Sequence, residues 1–76
     1  MSPRKELRDY EELLEFARQE LRQSQQQLIR MRNLEADPDQ LEKLEKEIEL
    51  LIKAVDRYQV KIKVLQNALR ESENQS

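Results

Sequence analysis

Seventy-six residues, 39% of them charged and 4% aromatic, with a formal net charge of −2, allow one small domain and no large core. Cysteine and histidine are absent, which removes disulfides, thiolate chemistry and the commonest neutral-pH base and metal ligand. Glycine is absent too, so there is no Gly-rich phosphate loop, and no apolar run is long enough to span a membrane.

The chain opens Met1-Ser2-Pro3-Arg4-Lys5-Glu6, charged from the start and without the apolar core of a signal peptide. The expected compartment is the cytosol. Ser2 suits a helix N-cap and Pro3 the first helical position. From there Leu7, Tyr10, Leu14, Ala17, Leu21, Ser24, Leu28 and Met31 follow one another at alternating intervals of three and four. Leu holds every a position and Ser24 is the only polar d, which predicts a coiled-coil helix over about 3–33. Gln23-Ser24-Gln25-Gln26-Gln27 keeps the heptad frame and reads as helix.

The repeat breaks near 34–38. Pro38 lacks an N–H, clashes with a preceding helical turn and pushes Asp37 out of helical geometry. Asp37 then fits an N-cap, Pro38 the first position and Gln40 the third, a capping-box pattern, with Asp39 favourably placed at the positive end of the helix dipole. A turn is expected here rather than a kink in one long helix.

The second helix, expected over about 38–71, repeats at Leu41, Leu44, Ile48, Leu51, Val55, Tyr58, Ile62, Leu65 and Leu69 with no polar member. Val60-Lys61-Ile62-Lys63-Val64 alternates like a half-buried strand, yet it lies inside this nine-position run and has no partner strand. The polar end, Ser72 to Ser76, is expected to fray. The fold class is therefore all-α, an antiparallel two-helix hairpin of coiled-coil type. A register centred near Ala36 sets Leu28 opposite Leu44, Leu21 opposite Leu51, Leu14 opposite Tyr58 and Leu7 opposite Leu65. With arms of roughly 30 residues the hairpin would be about 45 Å long.

Two helices have no third layer to cover them, and the flanks of the seam are not uniformly charged as a soluble coil prefers. Leu13, Leu34, Ile52, Ala54 and Ala68 take e or g positions, and Phe16, Leu50 and Val64 take c positions. Leu50, Ala54, Val64 and Ala68 form a second stripe at roughly 100° from the seam, the first choice for a partner-binding surface. Leu13 and Phe16, with Leu34, make a thinner stripe on the first helix and are the second choice. Two readings stay open: docking to a different protein, or pairing of two hairpins into a homodimeric four-helix bundle, natural or designed.

Nothing in the composition supports catalysis. The carboxylate pairs Glu11-Glu12, Glu45 with Glu49 and Glu71 with Glu73 fall on solvent faces beside Lys and Arg, and Glu42–Lys46 and Glu49–Lys53 have the helix-supporting i,i+4 order. Ser2, Ser24, Ser72 and Ser76 have no histidine to activate them. The chain is expected not to be an enzyme and to hold no metal or cofactor. Arg4, Arg8, Arg18, Arg22, Arg30 and Arg32 enrich the first helix, but Glu11, Glu12, Glu15 and Glu20 interrupt them. A salt-bridged surface is expected there, without nucleic acid or membrane insertion.

One family of small antiparallel hairpins is similar: the needle co-chaperones of type III secretion systems. The resemblance is carried by the turn Asp37-Pro38-Asp39-Gln40, then Leu50-Leu51, Ala54-Val55 and Tyr58 at similar offsets. The first arm, with Leu7-Arg8-Asp9-Tyr10-Glu11-Glu12-Leu13-Leu14 before a Gln/Arg-rich helix, fits in general character. The family often has an aromatic residue after the turn's Gln, where Leu41 stands here. The resemblance implies a bacterial cytoplasmic protein that pairs with a larger helical-repeat (TPR-like) chaperone and keeps the needle subunit soluble before export.

Overall fold

The computed structural model describes residues 2–74 and forms two helices, α1 (Pro3–Asn33) and α2 (Pro38–Asn74), folded back on each other. The hairpin measures 60 × 18 × 14 Å, longer than the expected 45 Å. α2 accounts for the difference: it continues through Glu71-Ser72-Glu73 to Asn74, and its 37 residues alone rise about 55 Å. Ser72 to Asn74, expected to fray, are helical; Gln75 and Ser76 lie outside the described residues.

The two helix starts differ. Ser2 sits at the N-cap of α1 in an extended conformation (φ −78°, ψ 132°), and its carbonyl accepts the Glu6 N–H at 3.1 Å, but its hydroxyl makes no capping bond. Pro3 follows at the first position, where a missing N–H does no harm. At α2, Asp37 Oδ1 accepts the Asp39 N–H at 3.2 Å, while the Asp37 carbonyl accepts from Gln40 and Leu41. Asp37 is thus an N-cap in fact. Among the described residues, the Gln40 side chain does not return the reciprocal bond of a capping box.

α1 stops without glycine. The Ala36 N–H reaches back to the Met31 carbonyl at 2.9 Å and the Glu35 N–H to the Arg32 carbonyl at 3.3 Å. These two bonds close a Schellman motif, which requires a left-handed residue between them. Glu35 takes that role at φ 52°. Arg30 and Arg32 in the last turn complement the negative end of the helix dipole.

Every one of the heptad positions from Leu7 to Met31 and from Leu41 to Leu69 is buried or half-buried, Ser24 included. Elsewhere among the described residues only Glu6, Ala36 and Ala54 are half-buried, and the rest are exposed. Ala17, Leu44, Ile48 and Ile62 are the most buried. The core is this thin because each helix is covered along one side only. Val60 to Val64 lie within α2; Ile62 faces the seam, while Val60 and Val64 are exposed. The strand-like alternation is therefore a coincidence of charged residues on a helix.

Among the described residues, two ion pairs that cross between the helices stand out. Arg32 donates to Glu45 at 3.0 Å near the turn, and Arg4 donates to Glu73 at 2.8 Å at the open end. All four residues occupy e positions. The interval from Arg4 to Arg32 equals that from Glu45 to Glu73, 28 residues or four heptads, so the antiparallel register does not slip along the arms. Both pairs are largely solvated, and each adds less than about 1 kcal/mol. Lys46 pairs with Glu42 at 3.5 Å in the expected i,i+4 order. Tyr10 and Tyr58 pack across the seam with ring centroids 6.2 Å apart, and Lys61 Nζ lies 6.0 Å from the Tyr10 ring.

Candidate docking face

In a heptad helix the a and d residues face the partner, e and b lie to one side, and g and c lie to the other. Antiparallel pairing sets the g edge of one helix beside the g edge of the other. The hairpin therefore has two distinct edges. The e edge carries both cross-helix ion pairs. On the g/c edge, among the described residues, no ion pair joins the helices.

That bare edge is where the apolar side chains gather. Leu50 is 66% exposed, Phe16 61%, Val64 55% and Leu13 45%, all at g or c positions. Leu34, also at g, stands out beside the turn. Ala68 is exposed on the same edge and Ala54 is half-buried on it. The remaining exposed large apolar residues, Ile29, Ile52 and Val60, fall at b, e and f, scattered around the other sides.

A shallow groove runs between the helices on this edge, lined by Glu20, Gln23, Ser24 and Gln27 of α1 and by Glu47, Leu50 and Leu51 of α2. Ser24, a short side chain at a d position, is part of its lining, beside half-buried Leu51. A smaller hollow, bounded by Leu50, Lys53, Ala54, Arg57 and Tyr58, adjoins it. Leu50 thus stands as a ridge between two depressions.

All six residues singled out in the sequence lie on this edge. The stripes on the two helices, ranked there as alternatives, are the two halves of one face. The groove at Ser24 was not foreseen, although the lone polar d position was its signal. Among the described residues no polar or charged side chain is buried, and no group of His, Cys, Asp or Glu side chains is arranged to hold a metal ion. No described helix is long and apolar enough to cross a membrane.

What fold and face define together is a helical hairpin with one edge that carries the cross-helix ion pairs and another that, among the described residues, carries none and gathers most of the exposed large apolar side chains. No family model, curated protein or solved structure matches the chain.

Proposed function

We propose that this chain is a non-enzymatic helical adaptor whose g/c edge completes the core of a larger helical-repeat chaperone. In the manner of the needle co-chaperones that it resembles, the pair would hold a type III secretion needle subunit soluble in the bacterial cytoplasm before export. One observation carries the docking part: among the described residues, five of the eight large exposed apolar residues fall on the edge where no ion pair joins the helices. Surface apolar residues scattered singly around a helix need no explanation, but a set gathered along one edge points to an interaction surface. The partner class and cargo rest on the resemblance of the turn and of Leu50-Leu51, Ala54-Val55 and Tyr58.

The test is co-expression with a TPR-like chaperone and its needle subunit. The expected result is a soluble complex of all three that the double variant Leu50→Glu with Val64→Glu no longer forms while keeping its helical circular dichroism. Val60→Glu, at an f position outside the g/c edge, leaves the complex intact. If the unmodified chain recovers no repeat-containing partner, the co-chaperone reading falls.

A further inference from the structure

The charge pattern along α2 says more about what fits the exposed edge. Its g positions read Gln40, Glu47, Ala54, Lys61 and Ala68 at seven-residue intervals. An acid and a base therefore stand one heptad to either side of Ala54, the smallest residue type on the edge. Such a pattern is complementary to its own reverse. Laid antiparallel on itself with Ala54 at the centre, it brings Glu47 of each copy to Lys61 of the other, twice over. The acidic flank extends to Glu20, which shares the groove with Glu47.

We infer that a second copy of this chain covers the g/c edge in the free protein, packed antiparallel about a two-fold axis beside Ala54. The inference rests on the reading of this edge as a contact surface and adds its first occupant. A two-fold contact uses the same patch on both copies, so any interaction off the axis is made twice. Alanine at the axis lets the two copies of α2 approach to about 8 Å, the near limit of helix packing. The leucine ridge at Leu50 then comes down beside Tyr58 and the Arg57 stem of the other copy, since Leu50 and Tyr58 stand four residues to either side of Ala54. Ion pairs with this placement fix direction and register more than they add affinity. A larger partner docking on the same edge has to displace the second copy.

The lack of cysteine makes the axis directly readable. Residues on a two-fold axis meet their own copies, so Ala54→Cys treated with oxidised glutathione, which accepts the two electrons, is expected to give a disulfide-linked dimer, the bond needing Cα atoms about 4.4–6.8 Å apart. Val60→Cys, at an f position outside the g/c edge, is expected to stay unlinked. Sedimentation of the unmodified chain is expected to give the mass of two copies. Glu47→Lys, which sets two like-charged pairs against each other, weakens the dimer by about tenfold at low salt. Adding Lys61→Glu to it restores the affinity. The double variant is the deciding one, because Lys61 also lies near Tyr10 within its own chain.

A monomer at every concentration overturns the inference. So does a dimer in which position 60 links as readily as position 54, or in which the double variant fails to regain affinity. Helical circular dichroism of each variant separates loss of pairing from loss of fold. A monomeric chain that still captures a helical-repeat chaperone would keep the adaptor reading and remove only this one.

Discussion

Replacing Glu35 by glycine is expected to stabilise the hairpin, and the amount follows from one backbone angle. Glu35 sits at φ 52°, where a side chain's Cβ crowds the following carbonyl. The left-handed conformation costs an L-residue about 1–2 kcal/mol, and glycine avoids that cost. Glycine also enlarges the entropy of the unfolded chain, which takes back about 0.4–1 kcal/mol. The Schellman bonds from Ala36 to Met31 and from Glu35 to Arg32 use backbone atoms alone and survive the change. The net gain is about 0.5–1 kcal/mol, which for a domain of this size raises Tm by roughly 3–6 °C. Thermal unfolding followed by far-ultraviolet circular dichroism measures it, at equal chain concentrations because self-association would shift Tm. Glu35→Val is expected to move Tm the other way, since a β-branched residue tolerates positive φ poorly. If glycine leaves Tm unchanged or lowers it while valine is harmless, the left-handed turn is not how α1 ends. The register that sets one g edge beside the other would then need a different origin.

Two further changes probe the helix starts and the groove. Asp37→Ala removes a side-chain cap and is expected to cost about 1 kcal/mol, whereas Ser2→Ala costs close to nothing, because the Ser2 hydroxyl makes no capping bond; equal losses in chemical denaturation would contradict the two geometries. Ser24→Leu fills the underpacked d position beside Leu51 and is expected to add about 1 kcal/mol from half-burial of the new side chain. A lower denaturation midpoint for that variant would mean the groove is not spare room in the seam.

Why the heptads could be read from the chain is plain in the outcome at Ser24 and Val60. A 3,4 repeat names the inward side of a helix whatever the individual residues are, so Ser24 was assigned to the seam despite its hydroxyl and is half-buried there. The same repeat overrode the strand-like look of Val60 to Val64. Asp37 could be recognised because proline at 38 leaves few ways for a helix to begin. Ser2 shows the limit of that reasoning: the residue type suits the position, but whether a hydroxyl turns toward an N–H depends on local torsions that the sequence does not state. The end of α2 shows another. Polar residues after Arg70 carried no seam signal, yet the helix runs on to Asn74, with Glu73 held by Arg4 from the other arm, a contact 69 residues distant in the chain.

The sequence by itself determined the two helices, their polarity change at Asp37-Pro38 and the residues that close the seam, because each of these depends on periodicity and nearest-neighbour stereochemistry. Only the tertiary structure decided that the hairpin has two unlike edges. Leu13 and Phe16 are on one helix, Leu50, Ala54, Val64 and Ala68 on the other, and no local pattern relates them. They become one face because the antiparallel register, held by a glycine-free turn and bracketed by ion pairs at both ends, sets g beside g and e beside e.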